Sequence, residues 1–206
     1  METINLYGAS GHGLVIADII NALGNEVGTY YDDNPKYPKL NDIPVVKPVN
    51  NEIAGPVIIS IGLNRIRKLI AERCNVDFYT AVHPTAIVSP SAEIGKGSVV
   101  MQGSIIQAFA IIGTHCIINT GASIDHECQI DDFVHVSPHA TLCGNVHVGE
   151  LSWIGAGAVI IQGVNIGQNC IIGAGAVVTN DVPDNSIVMG NRPFKVQAIN
   201  GHDSFI

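Results

Sequence analysis

The feature that most constrains this 206-residue chain is a period of six. Every sixth residue from Val82 is Val82, Val88, Ile94, Val100, Ile106, Ile112, Ile118, Ile124, Ile130, Val136, Leu142, Val148, Ile154, Ile160, Ile166, Ile172 and Val178: seventeen aliphatic positions without a break. The residue four further on is always small or β-branched: Ala86, Ala92, Ser98, Ser104, Ala110, Cys116, Ala122, Cys128, Val134, Ala140, Val146, Ser152, Ala158, Val164, Cys170, Ala176 and Val182. A strand repeats at two residues and a helix at 3.6, so neither explains a strict six with one large and one small slot. A three-sided coil does. Each hexad supplies one short strand, its aliphatic residue points inward, and the small residue fits the crowded interior near a corner. Residues eighteen apart then stack on successive coils. Seventeen hexads make between five and six coils, roughly 27 Å tall at about 4.8 Å per coil.

Composition fits a packed interior, with 47% hydrophobic and 14% charged residues. The net charge of -8 argues against a nucleic-acid or anionic-membrane partner. The N-terminus METINLYG lacks a basic and apolar secretory leader, and no apolar run reaches membrane-spanning length. None of the five cysteines forms a CxxC pair, and Cys116, Cys128 and Cys170 fill small interior slots of the repeat. Reduced, buried thiols in a cytoplasmic protein are the expectation, with no metal.

Residues 1–78 follow another pattern. Strands are expected at residues 4–8, 27–33 and 56–62, and helices at 12–24 and 64–74. This alternation predicts a small α/β domain with a mainly parallel, Rossmann-like sheet. The segment 34–54, rich in Pro, Asn and Lys, reads as a loop or irregular crossover. Residues 79–187 form the coil, and 188–206 a C-terminal tail.

The turn YGASGHG (7–13) separates the first strand from the first helix, where free N–H groups and the helix dipole suit a phosphate. Ser10, Gly11, His12 and Gly13 are the candidates there. Its spacing is GxxGxG rather than the dinucleotide GxGxxG. Asp32 and Asp33 close the second strand, where an acid can meet a ribose or base. A second turn, Gly62-Leu63-Asn64, leads to Arg65, Arg67 and Lys68. Both turns lie at strand ends, where open α/β sheets bind ligands, so a nucleotide-sugar pocket is expected from Gly62, Asn64 and Arg67 together with the first turn.

Of eight histidines, His126 followed by Glu127 lies outward in the coil, between Ala108 and Gly144 on the neighbouring coils. It is the candidate base for attack on a thioester, with Glu127 fixing its tautomer. The Gly144 amide could meet the oxyanion. His139, between Gly121 and Gly157, is the internal rival. His135 stacks under Trp153, and His83, His115 and His147 are expected on the surface. IGAGAV occurs at 154–159 and again at 172–177. The stacked copies, with Ile154, Gly155, Ala156, Gly173 and Ala174, would give a smooth wall for a pantetheine arm.

These motifs, with SIGLNRIRK (60–68), NTGASIDHEC (119–128), HVSPHATLCGNV (135–146) and VMGNRPFK (188–195), resemble the bacterial nucleotide-sugar acetyltransferases. That group includes the bacillosamine-pathway N-acetyltransferase and the sialic-acid O-acetyltransferases. The resemblance covers nearly the whole chain. It implies a left-handed β-helix, acetyl-CoA as co-substrate, and homotrimers with active sites between subunits. It implies His126 as base with Glu127 orienting it, and Asn119 and His135 positioning acceptor and acetyl group. It places Gly144 at the thioester oxygen, phosphate on Ser10 to Gly13, the nucleoside on Asp32 and Asp33, and Pro193 and Lys195 beside acetyl-CoA. Leu63 departs from a more polar turn expected in the bacillosamine-pathway enzyme.

The leading expectation is therefore N-acetylation of a UDP-linked 4-amino-4,6-dideoxy sugar by a homotrimer. O-acetylation of a sialic acid or another sugar hydroxyl is the enzymatic alternative. A non-catalytic β-helix scaffold is the alternative of another class, and His126-Glu127 beside glycines argues against it. A γ-class carbonic anhydrase would need three zinc-binding histidines across an interface, and nothing in the spacing points to such a cluster.

Overall fold

The computed structural model describes residues 1–49, 52–190 and 197–198. The N-terminal elements are β1 (Thr3–Tyr7), α1 (Gly11–Ala22), β2 (Glu26–Tyr31), β3 (Lys39–Leu40), β4 (Ile43–Val46), β5 (Val57–Ile59) and α2 (Asn64–Arg73). They form a sheet in the order β3-β4-β2-β1-β5, parallel throughout except between β3 and β4. Ile16, Ile19 and Ile20 recur at helical spacing on α1 and bury completely with Ile4 and Leu6 of β1 and Ile58 of β5. Each such side chain contributes roughly 1.5–3 kcal/mol by leaving water.

One expectation fails here. The segment 34–54 is not simply a loop: β3 and β4 make a short hairpin, and β4 extends the parallel sheet beside β2. The β-branched Ile43, Val45 and Val46 favour the strand, and Pro44 is tolerated because β4 lies near the sheet edge.

From Ala81 the chain turns into seventeen two-residue strands, β6 (Ala81–Val82) to β22 (Val177–Val178), one every six residues. Each pairs in parallel with the strand eighteen residues away, giving three faces. The first face holds the strands starting at Ala81, Val99, Ile117, His135, Trp153 and Ile171. The second holds those starting at Ile87, Ile105, Ser123, Thr141, Val159 and Val177. The third holds Glu93, Ile111, Gln129, His147 and Asn165. β23 (Ser186–Val188) continues the first face, and β24 (Gln197–Ala198) pairs with it antiparallel.

The two slots of the hexad fill one continuous core from Val100 to Val188. The corners need left-handed backbone, taken by Gly97, Gly103 and Gly121 but also by Phe109, His115, Glu127, Phe133, His139 and Leu151. For a residue with a side chain this costs about 1–2 kcal/mol, offset here by coil stacking. Cys116, Cys128 and Cys170 are buried free thiols in the small slots. The N-terminal domain sits on the lower first face, where Ala81, Val99, Met101 and Ile117 join the core of α1. Among the described residues no helix is long and apolar enough to cross a membrane.

Candidate active site

The expected N-terminal site begins with two uncapped helices. β1 and β5 are neighbours and parallel, so the starts of α1 and α2 lie side by side at one sheet edge. Ser10 and Leu63 stand at the two N-caps with extended backbone, neither gives a side-chain cap, and no acid occupies either first turn. Both helices therefore keep free N–H groups and unneutralised dipoles, a setting for an anion. Glycine is required close by. A Cβ on Gly8, at φ +123, would meet Ser60 O at 2.8 Å, and one on Gly13 would meet Gly8 O at 2.5 Å.

His12 faces His135 of the first face, with ring centroids 6.4 Å apart. The amide of Asn119 fixes the tautomer of His135. Asn119 Oδ1 accepts from Thr120 N at 2.8 Å, so its Nδ2 points to His135 Nε2 at 3.1 Å. That nitrogen must accept, which leaves the proton on Nδ1. His135 Nδ1 and His12 Nε2 are both buried without a partner among the described residues. Burial, then the nearby Arg67 charge, pushes His12 down to about 4; burial, Arg67 and His12 push His135 down to about 3. Both rings are therefore neutral near pH 7.

Beyond His135 a groove of about 370 Å³ runs along the first face, past Ser137, Trp153, Gly155, Ala156, Gly173 and Ala174. Trp153 stacks on His135 at 5.0 Å and donates from Nε1 to Ser137 Oγ at 2.6 Å. Gly155, Ala156, Gly173 and Ala174 line this groove, and the glycines also serve the coil: a Cβ on Gly155 would strike Ile172 O at 2.5 Å. Ile154 is fully buried in the core, so its side chain does not line the groove.

His126 lies at the corner between the second and third faces. Its Nδ1 is 3.0 Å from Glu127 Oε2, and its side chain is 56% exposed. A carboxylate at Nδ1 favours the proton there and leaves Nε2 with its lone pair. The ring lies over Gly144, where a Cβ would meet His126 Cε1 at 2.5 Å. Among the described residues the Gly144 N–H has no hydrogen-bond partner. His139 lies in the same way over Gly121 but has no carboxylate partner among the described residues.

Several expectations need correction. Arg67 is 1% exposed, and all five of its N–H donors go to protein acceptors, so it does not contact a ligand. Asn64 is also buried: it accepts from Arg67 and donates to Leu151 O and Ser152 O. His115 is not on the surface. Its ring is sandwiched between Phe78 and Phe133 above Gly97. Asp32 braces the first turn, accepting from Ala9 N and Asn34 N. Asp33 accepts from the Tyr7 hydroxyl at 2.7 Å and from Arg73, and remains half-exposed. That trio was not expected, because Tyr7 and Arg73 are 66 residues apart and nothing in the sequence pairs them. Pro193 and Lys195 lie outside the described residues.

Comparison with known proteins shows the family. Residues 3–74 match the family described as the PglD N-terminal domain, and residues 145–180 match the bacterial transferase hexapeptide repeats. A histidine-to-asparagine variant of perosamine N-acetyltransferase from Caulobacter crescentus, in complex with CoA and GDP-perosamine, is 34% identical over 96% of this chain and 97% of its own, with a TM-score of 0.89. The chain belongs to the PglD-type nucleotide-sugar N-acetyltransferases. The acetyltransferase domain of PglB from Neisseria gonorrhoeae FA1090, in complex with acetyl coenzyme A, is 38% identical over 95% of this chain and 98% of its own, with a TM-score of 0.87. The two family models fall on the two halves of the molecule, and the solved relatives align over both.

Proposed function

We propose that the protein moves the acetyl group of acetyl-CoA to the amine of a nucleoside-diphosphate-linked 4-amino-4,6-dideoxy sugar, in a site shared between two copies of the chain. The observation that carries this is the pairing of two uncapped helix N-termini, one of them carrying His12 beside the buried neutral His135, with a small-residue groove beginning at His135. The first feature suits a diphosphate and the second a pantetheine arm. Complexes of the perosamine relative with CoA and GDP-perosamine support an amino-sugar nucleotide as acceptor, and an amine rather than a hydroxyl as nucleophile.

His126 would act as base. As the amine nitrogen bonds to the thioester carbon, its proton passes to His126 Nε2 and the oxyanion is met by Gly144 N–H. The C–S bond then breaks, and the imidazolium returns the proton to the departing thiolate. Glu127 stabilises the charged ring. Within one chain His126 stands at the corner opposite the first face, away from His12 and His135. On this reading a second copy brings them together, as neighbouring subunits of a trimer would. Ile87, Phe109 and Ile111 supply exposed apolar surface on the same side, Phe109 one coil from Glu127.

A thiol-release assay with acetyl-CoA and a panel of UDP-, GDP- and CMP-linked amino sugars tests the reading, with light scattering on the same sample. Turnover on one nucleotide amino sugar by a trimer is expected. No turnover across the panel, or a monomer at micromolar concentration, would overturn it.

A further inference from the structure

Arg67 is a buried cation with no carboxylate partner among the described residues, a costly arrangement that needs a reason. Its guanidinium reaches two places. On one side it donates to Ile61 O at 2.9 Å and Gly62 O at 3.1 Å, the turn that opens α2. On the other it donates to His115 O at 2.7 Å and Phe133 O at 2.8 Å, on adjacent coils. Its fifth contact, Asn64 Oδ1 at 2.8 Å, orients an amide that donates to Leu151 O and Ser152 O on the next coil. His115, Phe133 and Leu151 form one column of left-handed corner residues, eighteen apart. Three residues of helix rise about 4.5 Å and one coil about 4.8 Å, so side chains at positions 64 and 67 meet successive coils in register.

We infer that Arg67 is a positioning residue, whose fork fixes the 61–63 turn to the corner column and so sets the spacing between the helix N-termini and His135 across the acceptor pocket. This rests on the acetyltransferase reading and deepens it, assigning acceptor alignment to a side chain that touches no substrate. The charge has a second effect, because it disfavours protonation of both His12 and His135. Lysine would keep the charge but lose the fork, since one ammonium cannot span five acceptors in a plane.

The test compares Arg67→Lys and Arg67→Met with the wild-type chain. The expected result is a fall of about 10²-fold in kcat/KM for the nucleotide sugar in both variants, as for other misalignments remote from the reacting atoms. The KM for acetyl-CoA should change little, because the strands that carry the groove, at His135, Trp153 and Ile171, are held to one another by their own parallel pairing. Full rescue by lysine would overturn the proposal, as would equal losses for both substrates. Hydrogen exchange gives a readout independent of turnover. Amides over 60–64 should exchange faster in Arg67→Lys while those over 153–178 do not, and unchanged exchange at the turn would overturn the clamp. If neither Arg67 variant folds, Asn64→Ala removes the neighbouring contacts and should raise the acceptor KM alone; an unchanged KM would count against the proposal. A wild-type chain inert toward every nucleotide amino sugar would sink the acetyltransferase reading, and the exchange measurement would still decide the clamp.

Discussion

The histidines of this protein occupy two opposite environments. At the corner between the second and third faces, His126 stands in solvent with a carboxylate on one nitrogen and the other free. On the side covered by the N-terminal domain, His12, His115 and His135 are enclosed and held neutral, with the Arg67 charge behind all three. A base must gain charge during turnover, whereas a positioning group must not change state. The exposed corner suits the first task and the enclosed side the second. The largest test of this contrast is His126→Ala, expected to lower kcat about 10²–10⁴-fold. The thermal midpoint should not move, because the ring makes no contact with the core. His139→Ala is the matched control, and steady-state rates that fell for His139 but not His126 would reverse the assignment.

Gly144→Ala sharpens the same point. The new methyl would lie 2.5 Å from His126 Cε1 and 2.6 Å from Nε2, so the ring must move. Gly144 does not have left-handed backbone, so the coil itself tolerates alanine. A loss of up to about 10²-fold in kcat with unchanged stability is expected, the scale of an ångström misplacement of a catalytic group. An alanine variant with normal turnover would show that His126 works from another position.

A structural requirement is legible in the sequence where it repeats and less so where it does not. The hexad announces the core, because the same steric requirement recurs at each coil, from Val82 to Val178. The helix starts at Gly11 and Asn64 were legible from the glycine turns before them. The roles of Arg67, Asn64 and His115 were not. A basic residue three positions after a glycine turn looks the same whether it faces a phosphate or the neighbouring domain. Only the docking of α2 on the corner column decides, and that packing joins residues 48 and 66 positions apart. The β4 strand was missed for a similar reason: its partner β2 is what makes a Pro-containing segment a strand.

The enclosed histidines predict an acid-sensitive fold. Burial, then the Arg67 charge, pushes His115 down to about 4, like His12. In the unfolded chain a histidine titrates at its ordinary 6.5. Between that value and about 4 the unfolded state binds more protons than the folded one, so stability falls as pH falls. The stabilisation is fully present above the unfolded value. Urea unfolding at fixed protein concentration between pH 7 and pH 5 should show a slope approaching three protons at the lower end, with about one removed in His115→Phe. A flat profile would mean that these rings are hydrated in solution and that the two environments are alike.

The smallest effect separates two contacts that cross the same domain boundary. Lys68 and Glu150 pair at 2.6 Å, only one residue along α2 from Arg67, and the lysine also lies 5.8 Å from the Phe133 ring. Both side chains of the pair are about one-third exposed. Water therefore screens the attraction, and ordering two long side chains offsets part of it. Lys68→Met should cost less than about 1 kcal/mol of stability and leave both KM values within about twofold of wild type, with the small loss vanishing at high salt. The Arg67 contacts are buried and should resist salt. If Lys68→Met raised the acceptor KM as much as Arg67→Lys did, the pocket would depend on general attachment of the two domains rather than on the fork at the 61–63 turn. A salt-sensitive acceptor KM in the wild-type chain, matched by the loss in Lys68→Met, would point the same way.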